Sequence, residues 1–167
     1  MIHQLVVLGA SGDLTGRYLL PAIARLLAAG ALPDGLEVIG VDHANWDDQT
    51  FRRHAEARLE RHARDVPPDV RRDLCHTLTH QSGDVTDVRS LARVLRRLDG
   101  PAVIYLALPN ALFSDTVRAL AKVGLPSGSR ISDQQRSRRA TRNERCCRAV
   151  VDVSSASPSG GRRAADP

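Results

Sequence analysis

The stretch that decides the fold is Val6-Val7-Leu8-Gly9-Ala10-Ser11-Gly12-Asp13-Leu14-Thr15-Gly16-Arg17. It continues an apolar, β-branched run (residues 3–9) that ends in glycine and reads as a buried strand. Leu19, Leu20, Ile23, Leu26 and Leu27 follow at helical spacing, and Gly30 suits the helix C-terminus. Gly9 permits a tight turn between strand and helix. Gly12 leaves no Cβ between the backbone and an approaching pyrophosphate, and the N–H groups at the helix start would face its phosphates. Thr15 stands where a small residue would let helix and sheet pack closely. A Gly-x-x-Gly pair occurs in many turns, and it gains meaning here from its place at the first strand–helix junction of an alternating chain. The competing reading is a plain turn with Asp13 as helix N-cap.

Outward from this loop the alternation continues. Residues 37–42 predict a second strand and residues 102–107 a fourth, Leu78 opens a weaker third, and residues 128–131 lead into a fifth. Asp47 or Asp48 caps a helix that reaches about Arg64 and uses Phe51, Ala55 and Leu59 on one face, and Pro67-Pro68 breaks it. A short helix is expected near residues 69–74. Asp87 or Ser90 opens another, with Leu91, Val94, Leu95 and Leu98, and residues 111–123 form a last one through Leu112, Val117, Leu120 and Val123. Strands alternating with helices imply right-handed βαβ units and a parallel sheet covered on both faces. The expected fold is α/β, a Rossmann-type doubly wound sheet over residues 1–131, ordered 3-2-1-4-5.

A length of 167 residues suits one domain, and 42% hydrophobic with only 3% aromatic residues implies a core of Leu, Val, Ala and Ile. The sequence contains no apolar run of about 18 residues, so no membrane span is expected. The chain enters its first strand at once, which argues against a secretory signal. Cys75, Cys146 and Cys147 lack metal-ligand or disulfide-framework spacing, so no metal is expected and a reducing cytoplasm is the expected compartment.

The charge is unevenly placed. Residues 1–130 hold 16 Lys and Arg against 15 Asp and Glu, whereas residues 131–167 hold eight Arg against four acids. A nearly neutral main domain offers no electrostatic surface for nucleic acid. Beyond Ile131 the patterning stops: Arg, Ser, Gly and Pro dominate, and the large aliphatics are Ile131, Val150, Val151 and Val153. Such a segment cannot bury enough apolar area to offset its ordering entropy, so residues 132–167 are expected to form a disordered basic tail, and the fifth strand to be incomplete. The abrupt change suggests a frame-shifted reading of what should follow or a mis-called gene end. With the fifth strand lost, the fourth would be an aggregation-prone edge.

The end of the second strand should meet an adenosine ribose, and Asp42-His43 stand there. An acid at this point accepts from the ribose hydroxyls and repels a 2′-phosphate, which leans toward NAD. A protonated His43 would offset that lean, and both residues fit an exposed loop equally well. His54, His62, His76 and His80 fall in helix or loop contexts, with no carboxylate–histidine or Cys–His spacing that suggests a catalytic set.

Four segments together resemble the N-terminal, NAD(P)-binding part of the glucose-6-phosphate dehydrogenase family. They are Gly9-Ala10-Ser11-Gly12-Asp13-Leu14-Thr15 with Arg17, Leu19, Leu20, Pro21 and Ala22; Val38-Ile39-Gly40-Val41 with Trp46-Asp47-Asp48 and Phe51-Arg52; Val103-Ile104-Tyr105-Leu106-Ala107-Leu108-Pro109; and Gly124-Leu125-Pro126-Ser127-Gly128-Ser129-Arg130-Ile131. The resemblance runs in order over residues 5–131. It implies a domain binding NADP or NAD for oxidation of glucose 6-phosphate at C1, in the pentose phosphate pathway, with Gly9 to Thr15 around the pyrophosphate and Tyr105 near the cofactor.

Three departures accompany it. Where the family tends to carry an arginine for the 2′-phosphate, this chain has His43 preceded by Asp42, which puts NADP preference in doubt. Where the family tends to carry Lys-Arg-Lys, with its last lysine facing the substrate phosphate, this chain has Gly16-Arg17-Tyr18. The family's Glu-Lys-Pro-Phe-Gly and Arg-Ile-Asp-His segments, the latter carrying the catalytic base, do not occur in these 167 residues. No catalytic residue is therefore assigned, and neither the substrate-binding region nor the family's oligomer interface is expected in this fragment.

Two rival readings remain. Gly9-x-x-Gly12-x-x-x-Gly16 also fits an atypical short-chain reductase, yet neither Tyr18 nor Tyr105 has a lysine four residues on. The Arg-rich tail could form a nucleic-acid-binding module by neutralising phosphates, yet it has no aromatic residue for base stacking.

Overall fold

In the computed structural model, residues 2–33, 35–133 and 151–152 are described. Strand β1 (Gln4–Leu8) leads through the glycine loop into a helix whose first part is a π-helical turn, Thr15–Leu19, continuing as α1 (Leu20–Ala28). The chain then forms β2 (Glu37–Asp42), α2 (Asp48–His62), α3 (Pro68–His76), β3 (Leu78–Ser82), α4 (Val88–Leu95), β4 (Ala102–Leu106), α5 (Asn110–Val123), β5 (Arg130–Asp133) and β6 (Val151–Asp152). The sheet order is β3-β2-β1-β4-β5-β6. The first five strands pair in parallel, and β6 pairs antiparallel with β5.

The helices split between the two faces, as right-handed crossovers require. Val7 and Val38 look toward α1, α2 and α3 and meet Leu20, Phe51, Leu59 and Leu74. Val6, Leu8 and Ile39 look toward α4 and α5 and meet Leu91, Val94 and Leu120. Strands buried on both faces read as continuous aliphatic runs, which is why residues 4–8 and 102–106 lack polar alternation.

Helix boundaries follow local chemistry. The Asp47 side chain accepts from the Thr50 amide at 2.7 Å, and Asp87 accepts from the Ser90 amide at 2.8 Å, so each is the N-cap of its helix. α1 ends on paired bonds, Gly30 N–H to Leu27 O and Ala31 N–H to Leu26 O, at 3.0 and 2.9 Å. α3 starts with Pro68, whose missing N–H costs nothing in a first turn.

The fifth strand corrects the expected edge. It is short but present, and it pairs with β4 from Val103↔Arg130 to Leu106↔Asp133, so β4 lies inside the sheet. Ser132 and Asp133 belong to this strand, which runs two residues past the expected boundary at 131, and Val151–Asp152 pair with it as a further strand. The rest of the tail expected to be disordered, residues 134–150 and 153–167, lies outside the described residues.

Candidate functional site

In the sheet order the chain moves outward from β1 to β2 and β3, then returns to place β4 on the other side of β1. The carboxyl ends of β1 and β4 flank this switch point, where open parallel sheets leave a crevice for ligands. Gly9 sits there. Its N–H donates to Val41 O at 2.8 Å, and its φ is +93°. A Cβ at Gly9 would lie 2.4 Å from Ala107 O. Conformation and space therefore both require glycine.

The loop is tied from within. Gly12 N–H donates to Gly9 O at 3.2 Å, and the Thr15 hydroxyl donates to the same oxygen at 3.0 Å. Thr15 is fully buried, so this position does more than pack closely: it holds the two ends of the loop together. Gly16 N–H bonds back to Gly12 O at 3.2 Å. The amides of residues 13–15 therefore head the helix, where no earlier turn can accept from them. Ala10 is buried, Ser11, Gly12 and Leu14 are half-buried, and Asp13 is exposed.

Asp13 does not act as a side-chain cap. Its carboxylate pairs with Arg17 at 3.1 Å and with Arg58 of α2 at 3.2 Å. Two guanidinium groups on one carboxylate leave net positive charge beside the helix start. Arg58 reaches this place by laying its stem over Gly16, whose Cβ, if present, would stand 2.8 Å from Arg58 Cγ.

Asp42 ends β2 with its side chain turned inward, and the residue is only 4% exposed. Oδ2 accepts the Ser11 N–H at 2.5 Å, and Oδ1 accepts the Ala44 N–H at 2.8 Å. Oδ1 also lies 3.2 Å from His80 Nε2, and His80 Nδ1 lies 3.2 Å from Trp46 O. Both ring nitrogens of His80 thus face acceptors, and both bonds form only when both nitrogens carry hydrogen. Burial alone would raise the Asp42 carboxyl, but hydrogen bonds from His80, Ser11 and Ala44 outweigh it and hold the group below the usual carboxylate range. His43, by contrast, is exposed. It stands near Asp84, whose carboxyl is lowered first by hydrogen bonds from Thr86 and further by the His43 charge.

The loop and Asp42–His43 thus converge on one end of the sheet. Tyr105 is half-buried on β4, one strand from the loop, opposite Val7 in the ladder and against the α1-side core. His80 and Arg58 escaped the sequence reading. His80 lies in strand β3, with its side chain fully buried, rather than in a helix or loop, and no local pattern links it to a residue 38 positions earlier. Arg58 had one signal, the glycine at position 16 that makes room for it. Among the described residues no group of three His, Cys, Asp or Glu is arranged to hold a metal, and no helix is long and apolar enough to cross a membrane.

A tied glycine loop heading a helix at the switch point of a parallel sheet defines a Rossmann-type domain of the nucleotide-binding class. The particular family follows from comparison: the family described as "Glucose-6-phosphate dehydrogenase, NAD binding domain" matches residues 6–139, and the chain belongs to it. The glucose-6-phosphate 1-dehydrogenase of Mycolicibacterium smegmatis is 34% identical over 134 residues, covering 74% of this chain and 27% of that protein. That of Zymomonas mobilis is 29% identical over 130 residues, with 74% and 27% covered. The crystal structure of the Mycobacterium avium enzyme superposes with a TM-score of 0.71 at 26% identity, over 80% of this chain and 30% of that one. The chain thus spans about a quarter of the length of the curated relatives it matches.

Proposed function

We propose that this domain binds NADP or NAD as the cofactor-holding part of a glucose-6-phosphate dehydrogenase-like oxidoreductase. The observation that supports this most is Gly9, packed against Ala107 O at the switch point and opening a loop whose following helix presents the amides of residues 13–15. The residues present fit a dinucleotide. Gly9, Ala10, Ser11, Gly12, Asp13, Leu14 and Thr15 would surround the pyrophosphate, Asp42 and His43 would lie toward the adenosine end, and Tyr105 would lie along β4. Arg17 and Arg58 offset the Asp13 charge that a diphosphate would otherwise meet.

A bound nicotinamide would supply the hydride acceptor. In the family pattern the base for the C1 hydroxyl belongs to a segment that does not occur in these 167 residues, and the place of the lysine that faces the substrate phosphate is taken by Tyr18. We therefore assign this chain by itself cofactor binding without turnover of glucose 6-phosphate, and we place it in a reducing cytoplasm on the spacing of its cysteines.

Titration of the purified chain with NADP and with NAD tests the reading. Trp46 is the sole tryptophan and stacks near Phe51, His54 and His80, with ring centroids 6.4, 4.9 and 5.9 Å away. Saturable change in its fluorescence with either cofactor, and no NADPH formed from glucose 6-phosphate, is the expected result. A folded chain that binds neither cofactor overturns the reading.

A further inference from the structure

We propose that Asp42 is a positioning residue that shapes the glycine loop from inside and does not read the adenosine ribose, so that it does not discriminate NADP from NAD. The proposal rests on the dinucleotide-binding reading above and assigns one residue of that site a different task.

An acid that reads a ribose must present an accessible lone pair to the hydroxyls. Asp42 is 4% exposed, and each of its oxygens is already engaged. Oδ2 takes the Ser11 N–H of the loop itself, and Oδ1 takes the Ala44 N–H and faces His80 Nε2. His80 is anchored in turn by Trp46 O, and its own amide donates to Asp48 Oδ1 at 2.7 Å. One carboxylate thus joins the segments that follow β1 and β2 to strand β3. Releasing it toward a ribose would leave two part-buried amides and the buried His80 imidazole without their acceptor, a desolvation cost that the ribose bonds would have to offset. At the surface of this strand end stands His43, with Asp84 nearby.

The two roles respond differently to Asp42→Asn. A ribose-reading acid, once neutralised, stops repelling the 2′-phosphate, so the NADP-to-NAD affinity ratio climbs by tenfold or more. A positioning residue, on losing a charge-assisted bond to the loop, weakens both cofactors together by about tenfold. The experiment is calorimetric titration of the full chain and of D42N with NADP and NAD. Parallel loss with the ratio kept within about twofold supports the proposal. Unchanged affinity for both cofactors, or a ratio shifted toward NADP by about tenfold or more, overturns it.

If D42N does not fold, His80→Ala and His80→Gln decide instead. The glutamine variant retains a donor for Asp42 and should rescue the binding that the alanine variant loses in parallel for both cofactors. Selective loss of one cofactor in H80A overturns the proposal. A wild-type chain that binds neither cofactor removes the dinucleotide reading itself, an outcome separate from any change in ratio.

Discussion

The Asp42 carboxylate accepts the backbone hydrogen of Ser11, 31 residues earlier, at 2.5 Å. This bond makes the glycine loop and the end of β2 one structural unit, and it carries a pH dependence. The Asp42 carboxyl sits below its usual value of 3.8, so its contribution to stability is fully present above about pH 4 and is lost as pH falls through the lowered value. Asp42→Asn should cost about 2 kcal/mol at pH 7 and flatten the acid limb of the stability curve. Urea unfolding at pH 7, 5, 4 and 3 checks both. Parallel curves for the two chains below pH 4 would mean the carboxylate is not the titrating tie.

Gly40 is a third place, after Gly9 and Gly16, where a missing side chain sets the local packing. A Cβ there would stand 2.7 Å from Ala10 Cβ and 2.8 Å from the Phe51 ring. Gly40→Ala should push α2 away from the loop and cost about 2 kcal/mol, a typical overpacking penalty. Thermal unfolding measures the loss. A variant as stable as the parent would show that Phe51 yields without cost.

Arg58→Met keeps an apolar stem over Gly16 and removes the guanidinium from Asp13. With one of its two cations gone, Asp13 should repel a diphosphate more strongly, and dinucleotide affinity should fall by about three- to tenfold, with a shallower salt dependence. Titrations at low and high ionic strength read this directly. Equal affinity in parent and variant at low salt would remove Arg58 from the site.

Thr116 is fully buried in α5, and its hydroxyl has no hydrogen-bond partner among the described residues. Thr116→Val removes an unpaid desolvation at nearly constant shape and should stabilise the chain by about 1 kcal/mol. A shift of the urea midpoint to lower concentration would contradict this.

Burial, helped by the nearby Glu56 charge, pushes the Cys75 thiol up to about 11. At pH 8 it is almost wholly protonated and should alkylate far more slowly in the folded chain than in urea. Peptide mapping after iodoacetamide treatment tests this, and equal labelling in both states would show that the α3 face opens readily.

Most of the architecture was legible because it depends on local periodicity. The aliphatic runs at residues 4–8 and 102–106, the caps Asp47 and Asp87, and the Pro67-Pro68 break each act within a few residues of where they stand. The glycine loop was legible for the same reason. The role of Thr15 was half legible: its size suggested packing, but its bond to Gly9 O needs the folded loop. The inward turn of Asp42 could not be read, since it depends on His80 and Ser11 arriving from other strands. The fifth strand was underestimated because its pairing with β4 supplies order that the composition after Ile131 does not suggest.

The π-helical turn at Thr15–Leu19 holds one residue more than an α-helical turn would need, which offsets the helix by about a hundred degrees of rotation at that point. Thr15 can thereby stay locked to the loop while Leu20 and Ile23 stay seated on the sheet. The fold thus separates the part of the helix tied to the glycine loop from the part that serves the core. Sequence drift in the core-facing half can change how the helix seats without re-aiming the amides of the loop-tied half, and the loop is free to evolve on its own.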